Sequence, residues 1–272
     1  MSSAGLVLLS GGQDSTTCLF WARTQFDPVH ALTINYGQRH ELEIEAAKKV
    51  AEMAGVASHE ILDLGSILKG TSPLVDKTKE VGHYASTVEL PEGIEPTFVP
   101  GRNLLFLVLA ANRAVALGAE AMVIGVSQED YGGYPDCRRD FISRMQEAIG
   151  LGVYGSAQAF GIHTPLLHMS KMETVKLARS LGGECWEALA YSHTCYDGEY
   201  PPNPYNHASL LRARGFKLAG EADPLIVRAK SEGLLPDDYP DHGLVETTGA
   251  GEGKGEDPAV SEGTPRRRRR GT

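Results

Sequence analysis

The sequence predicts an α/β protein: a doubly wound parallel sheet with helices on both faces. Short apolar runs alternate along the chain with longer segments of helical period, which is typical of strands joined by crossover helices. The chain opens with a strand-like run, a Ser/Gly loop and a helical segment in immediate succession. Its 272 residues are 42% hydrophobic and 22% charged, an ordinary composition for a folded globular protein. In such a sheet the ligand site is expected at the carboxyl ends of the strands.

The order of the elements follows from where each pattern starts and stops. Apolar runs predict five strands at residues 6–9, 29–34, 61–64, 121–126 and 162–166. Helical spacing predicts helices at residues 15–23, 41–54, 103–117, 136–149 and 170–181. Gly118 is expected to end the third helix, whereas Asp136 and Ser170 are expected to cap the starts of the fourth and fifth.

Two stretches fall outside this alternation. Residues 65–102 are punctuated by Gly and Pro and are too long for a tight crossover, so we expect a functional loop or lid there. From about residue 241 the chain is rich in Gly and Glu and has too few large apolar residues to offset the entropy of ordering. We therefore predict one domain over residues 1–240 and a flexible tail over residues 241–272. The tail contains five consecutive arginines, which are either a solvated segment or a partner-binding module.

Charge and cysteine content narrow the class of protein. A net charge of −9 argues against a broad nucleic-acid-binding surface and favours a small substrate. No apolar run approaches the roughly 18 to 20 residues that cross a bilayer, and the first residues lack the basic region of a signal peptide. A cytoplasmic protein is therefore expected. Free thiols are expected at all four cysteines, which show no paired close spacing: Cys18, Cys137, Cys185 and Cys195.

The first loop has the chemistry of a phosphate site. Residues 10–16 read Ser-Gly-Gly-Gln-Asp-Ser-Thr, in which two glycines let amide N–H groups converge and the helix start adds donors and a partial positive charge. Asp14 is a poor partner for phosphate but suits a Mg²⁺ ion. The lysine of the Walker loop is absent. The segment predicted to bind ATP comprises Leu9, Ser10, Gly11, Gly12, Gln13, Asp14, Ser15, Thr16, Thr17, Cys18 and Leu19.

That loop resembles the pyrophosphate loop (PP-loop) of the ATP pyrophosphatases, which cleave ATP to AMP and pyrophosphate while adenylating a substrate. Further motifs are Tyr-Gly-Gln-Arg-His at 36–40, Val-Pro-Gly-Arg-Asn at 99–103, Asp-Tyr-Gly-Gly-Tyr-Pro-Asp-Cys-Arg at 130–138, Thr-Cys-Tyr-Asp-Gly at 194–198 and Leu-Arg-Ala-Arg-Gly-Phe at 211–216. Over about residues 5–220 this combination resembles the 7-cyano-7-deazaguanine synthase family. The resemblance implies an adenine nucleotide alpha-hydrolase-like fold.

The resemblance also implies a reaction. In this family 7-carboxy-7-deazaguanine is adenylated at its carboxylate by ATP, ammonia from ammonium displaces AMP, and a second ATP activates the amide for dehydration to the nitrile. The product feeds queuosine made in transfer RNA. Two alternatives stay open: a PP-loop ligase that joins another carboxylate to an amine, and a nucleotide-binding paralogue without catalysis. The oligomeric state is open too, with a homodimer among the expectations.

Three side chains are predicted to be catalytic: Asp14, Arg102 and Lys171. The planar fork of Arg102 suits a phosphate or carboxylate, with a surface cap as the alternative. Lys171 is expected to steady an ATP phosphate, with a solvent-facing lysine as the alternative. Carboxylates and aromatic faces suit a flat, polar purine analogue. The predicted substrate-binding residues, of which Arg39 and His40 could instead form a solvated helix start, are Tyr36, Gln38, Arg39, His40, Asp130, Tyr131, Tyr134, Asp136 and Arg138.

The sequence departs from the family at its usual zinc site of four cysteines. Cys195 keeps the first position, but Asn203, Asn206 and Ser209 occupy the other three. Amide and hydroxyl groups are poor zinc ligands beside thiolate or imidazole, so we predict a zinc-free cluster of hydrogen-bonded polar side chains, with Cys195 a buried thiol rather than a nucleophile. The alternative is a rebuilt metal site that combines Cys195 with Cys185, His193 and His207.

Overall fold

The computed structural model describes residues 3–38, 42–70, 72–76, 78–90, 93–128 and 133–245, and in these residues five parallel strands form one sheet. The strands are β1 (Gly5–Leu8), β2 (Val29–Asn35), β3 (Ser58–Asp63), β4 (Ala121–Val123) and β5 (Gly161–His163). Their order across the sheet is β3-β2-β1-β4-β5. The winding reverses between β1 and β4, so a crevice is expected at the carboxyl ends of these two strands.

Eight α-helices in the described residues follow or connect the strands. They are α1 (Gln13–Ala22), α2 (Leu42–Ala54), α3 (Arg102–Leu117), α4 (Arg139–Tyr154), α5 (Lys171–Ser180), α6 (Gly183–Leu189), α7 (His207–Ala219) and α8 (Pro224–Ser231). Short 3-10 helices lie at Thr87–Glu89 and Pro135–Cys137. None of these helices is long and apolar enough to span a membrane.

The helices pack on both faces of the sheet. Successive residues of β1 point to opposite faces, so Leu6 and Leu8 belong to one buried cluster and Val7 to another. Leu107 and its neighbours on α3 and α4 complete the first cluster. Residues of α1, α2, α5, α6 and α7, including the fully buried Phe216, complete the second. The predicted doubly wound sheet is therefore confirmed.

The five predicted strands are present, with shifted ends. β3 begins earlier than predicted, because it is a largely exposed edge strand whose polar start at Ser58 pairs with His30 and carries no apolar signal. β4 and β5 end sooner than predicted, where the chain leaves the sheet. Gly118 ends α3 with a left-handed φ of 65°, as expected. The helices α6, α7 and α8 were not predicted.

The predicted cap at Asp136 is wrong. Helix α4 begins at Arg139, with Arg138 as its N-cap, while Asp136 lies in the preceding 3-10 turn that Pro135 opens. The Asp136 carboxylate accepts instead from the backbone N–H of Asn103, at 3.4 Å, in the first turn of α3. Asp136 thus accepts a hydrogen bond from a backbone N–H at the start of a neighbouring helix, which has no partner within that helix. Residue spacing along the sequence around Asp136 cannot reveal such a contact.

The predicted cap at Ser170 is confirmed as a full capping box on α5. The Ser170 hydroxyl accepts from the backbone N–H of Glu173 at 3.3 Å, and the Glu173 carboxylate accepts from the Ser170 N–H at 2.8 Å. Replacing Ser170 by alanine should lower the free energy of unfolding by about 1 kcal/mol, since a helix-start donor loses its partner. Urea denaturation measures this. A matched Ser180→Ala change at the other end of α5 should cost less than about 0.5 kcal/mol, and equal losses would contradict the cap assignment.

The chain after α8 still packs on the domain. The backbone N–H of Asp223 donates to the carbonyl of Asp241 at 2.8 Å, and the Asp241 carboxylate pairs with Lys230 at 2.6 Å. The rest of the predicted tail, residues 246–272 with the arginine run, lies outside the described residues. The boundary at residue 240 therefore stays a prediction. All four cysteines are free thiols, as expected.

Candidate active site

The loop between β1 and α1 is shaped by glycine and serine. Gly11 has a left-handed φ of 85°, and a Cβ there would lie 2.4 Å from the backbone oxygen of Glu43 in α2, so only glycine fits. The Ser10 N–H donates to Ser15 Oγ at 3.2 Å, and the Gly12 N–H donates to Ser10 Oγ at 3.3 Å. These bonds fix the loop directly against the start of α1.

Three buried polar atoms in the first turn of α1 have no hydrogen-bond partner among the described residues, and two of them, Gln13 Nε2 and Asp14 Oδ1, belong to residues that line a cavity, whereas the third is Thr16 Oγ1. The other Asp14 oxygen, Oδ2, accepts from Lys171 Nζ at 2.6 Å. Burying an unpaired donor or acceptor is costly, so Gln13 Nε2 and Asp14 Oδ1 are arranged for a ligand. A carboxylate oxygen is the kind of group that Mg²⁺ prefers, and Asp14 therefore fits the predicted ion.

A cavity of about 280 Å³ opens beside the loop at the carboxyl ends of β1, β2 and β4. Its floor includes Leu8, Leu32 and Ile124, and its walls come from the starts of α1, α2, α3, α5 and α7. At Gly125 an added Cβ would lie 3.1 Å from the Asp14 carbonyl carbon, so the segment that follows β4 approaches α1 closely at this point. The cavity is the crevice that the reversal of strand order predicts.

The far end of the cavity holds one arginine among three tyrosines: Arg102, Tyr36, Tyr134 and Tyr196, here called the Arg102 cluster. Arg102 begins α3, and its guanidinium donates a hydrogen bond to the Tyr36 side chain. Burial lowers the pKa of Arg102, but the neighbouring phenols raise it, and the net pKa lies above its usual value. Burial raises the pKa of all three tyrosines. The cluster therefore presents a fixed positive charge and protonated phenols at neutral pH.

Residues of the long loop anchor Tyr134 in this cluster. The Tyr134 hydroxyl lies 2.7 Å from Thr97 Oγ1 and donates to Glu95 Oε2 at 3.1 Å. Glu95 is only 1% exposed, and burial raises the pKa of its carboxyl group. Its carboxylate also accepts from the backbone N–H of Thr97 at 2.7 Å. The loop thus orients an aromatic side chain that lines the cavity.

A buried ion pair joins the C-terminal helices to the loop between β1 and α1. Arg212 in α7 makes two bonds to the Asp223 carboxylate, from Nε at 2.6 Å and from Nη2 at 2.8 Å. Its Nη1 also donates to the hydroxyls of Ser192 and Thr194 at 2.8 and 3.0 Å. Thr194 Oγ1 in turn accepts from the Gln13 N–H at 3.4 Å. A segment distant in sequence therefore supports the first turn of α1.

All of the residues that line the cavity lie within a segment that matches a known family. A family model described as "Queuosine biosynthesis protein QueC" matches residues 4–220. The chain belongs to the QueC family. Among curated relatives, a 7-cyano-7-deazaguanine synthase of Gloeobacter violaceus is 53% identical over 221 residues, spanning 81% of this chain and 94% of that protein. Proteins of the same name from Chromobacterium violaceum and Laribacter hongkongensis are 45% and 46% identical, spanning 84% and 82% of this chain and 94% of each relative.

Many of the residues predicted from the sequence line the cavity of this QueC-family protein. They are Leu9, Ser10, Gly12, Gln13, Asp14, Ser15, Tyr36, Gln38, Arg102, Tyr134 and Lys171. The Gln38 side chain also accepts from the Tyr36 N–H at 3.0 Å, which folds the motif after β2 back on itself. Binding roles for these residues stay predictions.

Other predicted residues lie elsewhere. Gly11 packs against α2, and four residues of α1 are buried behind the loop: Thr16, Thr17, Cys18 and Leu19. The Asp136 carboxylate is bonded to α3, and Arg138 Nη1 donates to the Gln128 carbonyl at 2.9 Å. Arg39, His40, Asp130 and Tyr131 lie outside the described residues.

Several cavity residues were not predicted as site members: Glu43, Asn103, Thr194, Tyr196, His207 and Arg212. Thr194, Tyr196 and Arg212 stand in motifs of the QueC-family resemblance, which was a usable signal. Glu43 has an unusual electrostatic environment for a carboxylic acid, because burial raises the pKa of its carboxyl group to about 7 while Arg102 opposes the rise. His207 shows the reverse effect, since burial and the Lys171 charge lower its pKa to about 4.

At the positions of the usual family cysteines, the Asn206 side chain bonds to the Cys195 side chain and to the backbone of Asn203 and Ser209. Asn206 Nδ2 lies 3.1 Å from Cys195 Sγ, 3.0 Å from Asp197 Oδ2 and 3.3 Å from the Asn203 carbonyl. Asn206 Oδ1 accepts from the Ser209 N–H at 2.9 Å. The prediction is wrong for the Ser209 hydroxyl, which is buried and has no partner among the described residues, because Asn206 engages the backbone there instead.

These groups do not fit a zinc ion. An amide N–H that donates to a cysteine sulfur occupies the direction from which a metal would bind that sulfur. In the rebuilt alternative, Cys185 lies in the apolar core, where burial raises its pKa to about 12, and His193 Nε2 bonds to the Cys195 carbonyl at 3.1 Å. Within the described ranges, no group of three or more His, Cys, Asp and Glu side chains is arranged to hold a metal.

Proposed function

We propose that this QueC-family protein uses ATP to convert 7-carboxy-7-deazaguanine and ammonium into 7-cyano-7-deazaguanine, a step of queuosine biosynthesis. One observation carries the proposal: a single cavity runs from a phosphate-type loop to an arginine surrounded by tyrosines. A ligase that activates a carboxylate needs both ends, one for the triphosphate and one for the acid. The relatives called 7-cyano-7-deazaguanine synthase support the choice of acid.

The loop end suits the pyrophosphate of ATP. The unpaired Gln13 Nε2 is a donor at the start of α1, where the positive end of the helix dipole favours an anion. Lys171 adds a positive charge, held in place by Asp14. Asp14 Oδ1 would ligate Mg²⁺, which neutralises phosphate charge while pyrophosphate departs.

The Arg102 cluster suits the deazapurine acid. The fork of Arg102 pairs with a carboxylate through two parallel bonds, and the tyrosine rings offer faces for a flat heterocycle. With the acid held this way, one carboxylate oxygen attacks the α-phosphorus of ATP and pyrophosphate leaves. Ammonia then displaces AMP to give the amide, and a second adenylation activates the amide oxygen for loss of AMP and formation of the nitrile.

Isotope exchange tests the proposal without requiring the complete reaction. Radiolabelled pyrophosphate should enter ATP only when 7-carboxy-7-deazaguanine is present, because exchange requires reversible adenylation of the acid. Guanine, which lacks the carboxylate, is the matched control and should give no exchange. Exchange that depends instead on another carboxylic acid would replace the substrate, and ATP binding without exchange for any acid would indicate a nucleotide-binding protein.

We propose further that the protein works without zinc. Two bonds of Asn206 support this, since its Nδ2 donates to Cys195 Sγ and its Oδ1 accepts from the Ser209 N–H, so both atoms that could bind a metal are already engaged. Purified protein should contain zinc far below one atom per chain by plasma mass spectrometry, and a chelator should leave its melting temperature unchanged. A variant with cysteine at positions 203, 206 and 209 should bind zinc stoichiometrically. Stoichiometric zinc in the natural protein, lost together with the fold on chelation, would contradict the proposal.

A further inference from the structure

Glu43 lies in the first turn of α2 and lines the cavity between the phosphate loop and the Arg102 cluster. Its backbone packs closely against the loop, because the Glu43 carbonyl oxygen would be only 2.4 Å from a Cβ added to Gly11. Asp14 and Glu43 are the two carboxylic acids among the described residues that line this cavity. Asp14 is engaged by Lys171 at the phosphate end, whereas the Glu43 carboxyl group interacts electrostatically with Arg102 and is therefore the carboxylate near the Arg102 cluster.

The groups that face Glu43 come from three other parts of the fold. Arg102 at the start of α3 lowers the pKa of the Glu43 carboxyl group, while burial raises it more, to about 7. Tyr36 lies after β2 and Tyr196 lies before α7. Burial raises the pKa of both phenols, and the negative charge of Glu43 adds to that rise. A carboxyl group with a pKa near neutrality can accept and release protons at physiological pH.

The proposed reaction requires a proton acceptor at this end of the cavity. Ammonium is predominant over ammonia at neutral pH and has no lone pair, so it must lose a proton before it can attack. The other groups of the Arg102 cluster are unsuited, because the guanidinium is already protonated and the raised pKa values of the tyrosines keep their phenols protonated.

We propose that the Glu43 carboxylate is the base that converts ammonium into the attacking ammonia, an inference that rests on the proposed function. Glu43 takes one proton from ammonium and becomes a carboxylic acid. The nitrogen lone pair then forms a bond to the carbonyl carbon of the acyl-adenylate. The C–O bond to AMP breaks, its electron pair leaves with the phosphate, and the second N–H proton goes to that phosphate. Glu43 returns its proton to water before the next turnover.

The change Glu43→Gln separates this step from adenylation. Amide formation from ammonium should fall by about 100-fold, as expected for loss of a general base. Pyrophosphate exchange, which involves no ammonium, should stay within about threefold of the natural enzyme, showing that the fold and the cavity are intact. Glu45→Gln is the matched control, because Glu45 lies on the same helix in an exposed pair with Lys48 and should leave both rates unchanged.

Hydroxylamine provides a readout that a purely structural role would not change. It is largely unprotonated at neutral pH and can attack without help, so the Glu43→Gln variant should form the hydroxamate within about fivefold of the natural rate. An equal loss with ammonium and hydroxylamine, or a full ammonium rate in the variant, would overturn the assignment. Loss of both pyrophosphate exchange and amide formation in the Glu43→Gln variant would also overturn the assignment. The one exception is a Glu43→Asp variant that regains exchange but does not regain amide formation.

These outcomes are distinct from failure of the proposed function. If the natural protein shows no exchange with 7-carboxy-7-deazaguanine, the substrate is wrong and the role of Glu43 toward ammonium falls with it. If the natural protein shows exchange and forms the amide, the comparison of ammonium with hydroxylamine decides the role of Glu43 alone.

Discussion

Replacing Asp14 by alanine should reduce pyrophosphate exchange by at least about 100-fold, because the change removes both the proposed Mg²⁺ ligand and the partner that holds Lys171. The ion pair between Asp14 Oδ2 and Lys171 Nζ, at 2.6 Å, joins α1 to α5 across the mouth of the phosphate loop. Without it the lysine loses its fixed position, and the second oxygen, Oδ1, is lost as a ligand. Exchange assays at saturating acid and varied ATP would measure the effect on both kcat and KM.

The control for this change is Asp140→Ala. Asp140 also stands in the first turn of a helix, α4, but it is exposed and does not line the cavity. Its replacement should leave exchange within about twofold, since surface changes usually have small effects. An Asp14→Ala variant that folds normally and exchanges at the natural rate would contradict the assignment of the loop.

Replacing Arg102 by lysine should reduce kcat/KM for the carboxylate by about 100-fold, although the charge is retained. Lysine is a point charge that cannot make two parallel bonds to a carboxylate. Arg102 also donates to the Tyr36 side chain, and lysine would weaken this contact within the cluster that is proposed to bind the acid. Part of the loss should therefore appear as weaker binding of the acid, seen as a raised KM. Steady-state exchange with varied 7-carboxy-7-deazaguanine measures this.

Arg113→Lys on the same helix serves as the control for Arg102. Arg113 forms an exposed pair with Glu60 at 3.0 Å, and its replacement should leave KM and the melting temperature close to their natural values. If Arg102→Lys raises the KM for ATP but leaves the KM for the acid unchanged, Arg102 binds phosphate and the proposed orientation of the substrates is reversed.

The sequence carried enough information for the sheet and the loop. Buried parallel strands such as β1 and β4 appear as short apolar runs, and the glycines after β1 indicate a sharp turn, in which Gly11 adopts a left-handed φ. The crevice followed from topology, since parallel strands with a reversed order bring their carboxyl ends together. Cavity-lining residues such as Ser10, Arg102 and Lys171 could be predicted from the sequence, because each lies at or near the start of a helix.

What the sequence did not reveal depends on contacts between distant segments. Asp136 bonds to α3 rather than to its own helix, and Arg212 is buried through Asp223 and Thr194, both on other segments. In the sequence, Glu43 is one acid among several in the amphipathic helix α2. Only the folded structure, which buries it near Arg102, distinguishes it from the others. Periodicity along a single helix contains no information of this kind.

The most direct test of the central claim is mass spectrometry of the products after incubation of the protein with 7-carboxy-7-deazaguanine, ATP, Mg²⁺ and ¹⁵N-ammonium. The account predicts a nitrile that carries the ¹⁵N label, formed together with AMP, in protein that contains no stoichiometric zinc. Unlabelled 7-carboxy-7-deazaguanine recovered intact, with ATP bound but not consumed, would contradict it.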